Sequence, residues 1–165
     1  MHFKEVEKME MLVTVRYPLS YSLVGMKKLP TLAEKLKEKL QGKKILILSS
    51  SLVEAKNCAQ AIAESLKAPL LEFNEFNVDD YYYGPDSRLR KAIDRVKGFT
   101  DNYEVIVVIT QQATTSGLIE GFAYEVLGIP DLNCEEAIFS SANILNLREK
   151  SLITLFPIVN NKIFF

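Results

Sequence analysis

The feature that most constrains this chain is a set of short, unbroken apolar runs, each followed by a stretch of helical periodicity. Residues 10–16 include LVTV, residues 45–48 read ILIL, and residues 104–109 read EVIVVI. A strand with one wet face alternates apolar and polar side chains. A run that stays apolar at every position belongs to a strand covered on both faces, as in a parallel sheet between helical layers. The intervening segments fit that arrangement. Thr31-Leu32-Ala33-Glu34 has the form of a capping box and predicts a helix with Leu32, Leu36 and Leu40 inward and Gly42 at its end. Ser51-Leu52-Val53-Glu54 predicts a second box, whose helix places Ala55, Cys58, Ala59, Ile62, Ala63 and Leu66 on one stripe before Pro69.

Residues 70–73 are a candidate short strand, and 74–86, NEFNVDDYYYGPD, read as irregular. Asp86 is the expected cap of a third helix with Leu89, Ile93 and Val96 inward and Gly98 at its end. Thr114 or Thr115 is expected to open a fourth helix, carrying Leu118, Ile119, Phe122, Val126 and Leu127 and stopped by Gly128 and Pro130. Two weaker strand-like segments follow, around 135–147 and 151–158. Strand and helix in strict alternation give an α/β fold, three layers (α/β/α) around a mostly parallel central sheet.

At 165 residues, with no repeat, linker or composition shift, the chain reads as one domain over 1–165. A formal net charge of -1, from 20 basic and 21 acidic residues, gives no pull toward nucleic acid or an anionic membrane. No apolar run approaches the roughly 20 residues that span a bilayer, and the charged N-terminus lacks the apolar core of a signal peptide. The cysteines, Cys58 and Cys134, are far apart and fit no metal spacing, so they read as free thiols of a reducing compartment. The cytoplasm is the expected location, with no metal and no cofactor.

Ligands of parallel α/β sheets bind outside the carboxyl ends of the strands. That rule selects three junctions: RYPLS after the first strand, SSSLVEA after the second, and TQQATTS after the 104–109 strand. None contains a phosphate-binding glycine loop, a nucleophile elbow or a metal-ligand cluster. The single histidine, His2, lies at the extreme N-terminus and reads as a terminal residue.

Taken in order, the junctions resemble the histidine phosphatase superfamily, the phosphoglycerate mutase-like fold. Its members open with an apolar strand ending in Arg-His-Gly; here the strand ends in Arg16-Tyr17-Pro18. Its second strand leads into Ser-Ser-Pro-Leu-x-Arg-Ala-x-x-Thr-Ala; here Ser49, Ser50, Leu52, Ala55 and Ala59 match, while Glu54 stands at the arginine and Cys58 at the threonine. A later strand ends in Ser/Thr-His-Gly; here Thr110 is followed by Gln111. The resemblance runs over about residues 10–130. It implies a phosphoryl transfer in which one histidine attacks phosphorus, a second stabilises the transition state, two arginines hold the phosphate oxygens and a carboxylate donates a proton.

Against those roles the sequence supplies Arg16 and little else. A tyrosine phenol, with a pKa near 10, is mostly neutral at pH 7, and Gln111 carries no charge. Glutamate for arginine sets a like charge beside the phosphate, which costs roughly 4 kcal/mol at 4 Å and an effective dielectric of about 20. The reaction implied by the resemblance is therefore expected to be lost, leaving no confident catalytic residue. What remains is a degenerate pocket of Arg16, Tyr17, Glu54, Gln111 and Glu75. Tyr17 reads as an aromatic filling the histidine's space. Glu54 reads both as the last residue of a capping box and as a carboxylate in the anion site, where it could pair with Arg16. Gln111 and Gln112 divide between pocket lining and loop polarity, and Glu75 stands near the proton donor's place.

Tyr81, Tyr82 and Tyr83 read as loop side chains folded onto the domain, or as a lid or partner contact, since tyrosine is enriched at interfaces. The acidic residues around them disfavour nucleic-acid stacking. RLRKAIDR at 88–95 reads as a solvated helix face. The expected role is a binding or interaction module for an unidentified protein or small molecule, and a homodimer is an arrangement the resemblance allows. Two alternatives stand beside it: a divergent phosphoester hydrolase working through Glu54, Glu75 or Tyr17, and an unrelated flavodoxin-like ligand-binding domain.

Overall fold

The computed structural model describes residues 8–18, 23–77 and 87–156, apart from the side chains of 23–26, together with the backbone of 158–159 and 162–163. Six strands form the central sheet: β1 (Met11–Arg16), β2 (Ile45–Ser49), β3 (Leu70–Glu72), β4 (Val105–Thr110), β5 (Ser141–Asn146) and β6 (Ser151–Leu155). Their order is β3-β2-β4-β1-β5-β6. The first four are mutually parallel, and β5 and β6 add an antiparallel edge.

Helices α1 (Leu23–Lys39) and α2 (Val53–Leu66) cover one face, and α3 (Arg88–Lys97) and α4 (Gln112–Phe122) cover the other. The continuous apolar runs divide between the two layers because successive side chains point to opposite faces. In β4, Val105, Val107 and Ile109 pack with Leu32, Leu36, Ala59 and Ile62, while Ile106 and Val108 pack with Leu89, Ile93, Leu118 and Phe122. A separate short pair, β7 (Ile158–Val159) and β8 (Lys162–Ile163), follows, with β7 against α1.

Helix starts depart from the capping reading. The first helix is already formed at Leu23, so TLAE at 31–34 lies inside it, directly after Pro30. A proline inside a helix costs about 3 kcal/mol. Burial of Leu29, Leu32 and Leu36, at about 1.5–3 kcal/mol each, outweighs that and carries the helix through the proline. Gly42 does end the turn after α1, at a φ of 78° that favours glycine.

The second box does not form either: Leu52 is the N-cap of α2, in extended conformation and with no side-chain capping bond. Ser87, whose Oγ accepts from the Arg90 N–H at 3.0 Å, caps α3 in place of Asp86, which lies outside the described residues. Helix α4 begins at Gln112, and Thr114 and Thr115 are buried within it. The hydroxyls there bond back along the helix, Thr115 Oγ1 to the Gln112 carbonyl (2.6 Å) and Ser116 Oγ to that of Ala113 (3.1 Å), so they need no cap position. The helix runs on through a π-helical turn, Ala123–Leu127, and stops at Gly128 with φ 68°. Of the 135–147 segment, only Ser141–Asn146 is strand.

Candidate functional site

The sheet register lines up the residues singled out by sequence. Arg16 at the end of β1 pairs with Thr110 of β4 on one side and Ser141 of β5 on the other, and Ser49 of β2 pairs with Ile109 and with Glu72 of β3. Arg16, the Ser49–Ser51 turn with Glu54 in the first turn of α2, and Gln111 at the N-cap of α4 therefore open onto one edge, the carboxyl ends of the parallel strands.

Backbone and hydroxyl groups bind that edge together. The Ser50 N–H donates to the Ile109 carbonyl (3.0 Å), and Thr110 Oγ1 donates to the Phe76 carbonyl (2.7 Å). Asn77 Oδ1 accepts from both Ser50 Oγ (2.6 Å) and the Ser51 N–H (2.8 Å). Ser51 Oγ donates to Asn74 Oδ1 and accepts from Asn77 Nδ2, each at 2.7 Å. The single 3-10 turn Asn74–Phe76, with Phe76 fully buried, thus acts as a keystone between β2, α2 and β4. Asparagine at 74 and 77 is the sequence signal for this turn, since loop asparagines commonly bond nearby backbone.

Arg16 is half-buried and turned toward the segment before β5. Its guanidinium carbon lies 3.7 Å from the centre of the Phe139 ring, and Nη1 donates to the Ala137 carbonyl at 3.3 Å. The Ser140 N–H donates to the Arg16 carbonyl at 2.9 Å. Ser140 is buried with φ 55°, a left-handed conformation unusual for serine. The same segment is fastened to α4: the Ala137 N–H donates to Thr115 Oγ1 (3.1 Å), and Gln112 Nε2 donates to Glu136 Oε2 (2.5 Å). Nothing in the sequence pattern pointed to Phe139, Ala137 or Glu136.

The other expected residues divide. Tyr17 is half-buried and packs against the α1–α2 side of the core, in the manner of a space-filling ring. Glu54 and Gln111 are half-buried at the shared edge. Glu75 points elsewhere. Its carboxylate meets Arg95 Nη2 of α3 at 2.6 Å, within a cleft of about 420 Å³ also lined by Lys91, Asp94, Gly98 and Phe99. The hydrogen bond from Arg95 holds the Glu75 carboxyl below its ordinary value, the opposite of what a proton donor needs. Tyr81, Tyr82 and Tyr83 lie outside the described residues. Cys58 and Cys134 are buried free thiols, each pushed up to about 12 by burial, so neither is a thiolate nucleophile at neutral pH. Among the described residues no cluster of His, Cys, Asp or Glu could hold a metal ion, and no helix is long and apolar enough to cross a membrane.

No protein-family model and no curated protein matches the chain by sequence. Solved structures do match in three dimensions. SixA of Agrobacterium tumefaciens, a proposed phosphohistidine phosphatase, superposes with a TM-score of 0.61 at 12% identity, over 88% of this chain and 97% of its own. Phosphoglycerate mutase of Plasmodium falciparum gives 0.54 at 21% identity, over 96% and 95% of the two chains. A mycobacterial glucosyl-3-phosphoglycerate phosphatase in complex with VO3 gives 0.57 at 14% identity, over 92% and 99%. The fold is accordingly phosphoglycerate mutase-like, as the order of the junctions implied, and the flavodoxin-like alternative is set aside. The antiparallel β5 beside β1 is part of that outcome.

Proposed function

We propose that this chain is a degenerate member of the histidine phosphatase superfamily, a binding or interaction module that no longer transfers phosphoryl groups. The observation that carries the reading is the content of the shared edge. Tyr17, Gln111 and Glu54 stand where the resemblance calls for histidine, histidine and arginine, and the one histidine in the chain is His2. Phosphoryl transfer depends on positioning and on stabilising a multiply charged transition state. A neutral phenol packed on the core, an uncharged amide and a carboxylate supply neither the covalent route nor that stabilisation. The depressed Glu75 carboxyl, committed to Arg95, also argues against the divergent hydrolase.

Among the described residues the edge keeps hydroxyls, amides and the Arg16 guanidinium, which suits recognition of a polar small molecule or a protein loop. The discriminating experiment is hydrolysis of para-nitrophenyl phosphate by the purified chain and by Arg16→Ala. The expected result is no turnover above the protein-free rate for either. Turnover abolished by Arg16→Ala overturns the proposal in favour of the hydrolase.

A further inference from the structure

We propose that the 136–140 turn is a built-in plug of the crevice and that Phe139 is its specificity-determining residue, holding Arg16 in a form that rejects oxyanions. The inference rests on the proposed non-catalytic reading and says what the same site refuses. A guanidinium recognises phosphate through a fork of parallel N–H donors and gains most when those donors are free to point together. In this chain one face of the fork lies on the Phe139 ring at 3.7 Å, and Nη1 is spent on the Ala137 carbonyl. The ring holds the guanidinium plane against the turn while Nη1 is bonded, so the fork gives up the cation–π contact if it swings to close on an anion.

Three features make the turn a fixed plug rather than a passing contact. It is bonded to the strand that carries Arg16, through the Ser140 N–H and the Arg16 carbonyl. It is bonded to the helix that forms the other wall, through the Ala137 N–H and Thr115 Oγ1. It holds Ser140 in a left-handed conformation within a buried site, a strain that persists only when surrounding contacts impose it. The plug also brings its own anion. Glu136, the residue before Ala137, reaches Gln112 in the first turn of α4, so a carboxylate already stands beside that helix start. A negative charge there is favourable to the helix and adverse to an incoming oxyanion.

The test is a titration with inorganic phosphate, read from the Nε–Hε cross-peak of Arg16 in nitrogen–proton correlation spectra, with para-nitrophenyl phosphate turnover measured on the same samples. The wild-type cross-peak is expected to stay in place at millimolar phosphate. Phe139→Ala is expected to bind phosphate at least about tenfold more tightly, the equivalent of a cation–π contact of middling strength. Phe139→Leu, which keeps bulk without the ring quadrupole, is expected to shift in the same direction and serves if the alanine variant does not fold. Phe139→Tyr keeps the contact and is expected to match wild type. Adding Arg16→Ala to the responsive variant should abolish the gain. Wild-type binding as tight as that of Phe139→Ala and Phe139→Leu overturns the plug while leaving the non-catalytic reading intact. Turnover by the wild type overturns that reading by itself.

Discussion

The two ends of the central sheet are built from different chemistry. At the amino end, Glu10 lies just before β1, 7% exposed, and its two oxygens meet Lys43 at 2.6 Å and Arg148 at 2.7 Å. Glu104, just before β4, accepts from the Lys44 N–H at 2.9 Å. Two carboxylates, one held by cations and one by a backbone N–H, clamp the strand starts. At the carboxyl end, the Ser49–Ser51 turn, Asn74, Asn77 and Thr110 form a neutral network of hydroxyls and amides, and the Arg16 guanidinium rests on Phe139. The amino end is built on ion pairs that hold the strand starts. The carboxyl end is polar, but the hydroxyls and amides of Ser50, Ser51, Asn74, Asn77 and Thr110 are bonded to the chain itself. The proposed loss of phosphoryl transfer rests on that contrast, a strand-end edge whose hydroxyls and amides are bonded to the chain's own groups.

The largest test of that contrast is Phe76→Ala. Removing a fully buried ring from the keystone turn is expected to cost about 3–5 kcal/mol in urea unfolding. A loss under about 1 kcal/mol would mean that the 3-10 turn is not what ties β2 to β4.

Next comes Glu10→Ala, expected to cost about 2 kcal/mol at pH 7, because it leaves two cations without their partner. The effect carries a pH signature. The hydrogen bond from Lys43, then the charges of Arg148 and Lys43, hold the Glu10 carboxyl below its ordinary 4.5. A depressed carboxyl stabilises the fold above its unfolded value, and that contribution is lost as pH falls through the folded value. The difference between wild type and Glu10→Ala should therefore shrink as the pH is lowered from 7 to below 4. A difference that is independent of pH contradicts the clamp.

Asn77→Ala is expected to cost less, about 1.5 kcal/mol, by leaving the Ser50 hydroxyl and the Ser51 N–H without their acceptor. The amide resonances of 50–52 should also show faster hydrogen exchange, and unchanged exchange there argues against the network. The smallest effect falls to Glu75→Gln, under about 1 kcal/mol, since Glu75 and Arg95 are 28% and 40% exposed and solvent screens the pair. A larger loss would move Glu75 from the periphery into the architecture.

What the sequence made legible follows from which forces act locally. Strands covered on both faces leave unbroken apolar runs, so β1, β2 and β4 could be placed within a residue or two. Helix faces followed from their stripes, as with Ala55, Cys58, Ala59 and Ile62. Helix starts did not, because a box such as TLAE at 31–34 is only a local preference, and the leucine stripe that begins at Leu29 overrode it. In the site, Arg16, Glu54 and Gln111 could be placed on one edge because strand order brings junctions together whatever fills them. Glu75 could not, since its partner Arg95 lies on another helix. Phe139 was invisible for the same reason in stronger form: its turn meets Arg16 across more than 120 residues of chain, as the 121-residue separation of Arg16 and Ala137 shows.

The most direct test of the central claim is a crystal structure of the protein soaked in vanadate, the phosphoryl mimic. The account predicts no vanadate between the end of β1 and the start of α4, with the Arg16 guanidinium still on the Phe139 ring. Vanadate bound there, with Arg16 swung off Phe139 to hold its oxygens, would contradict it.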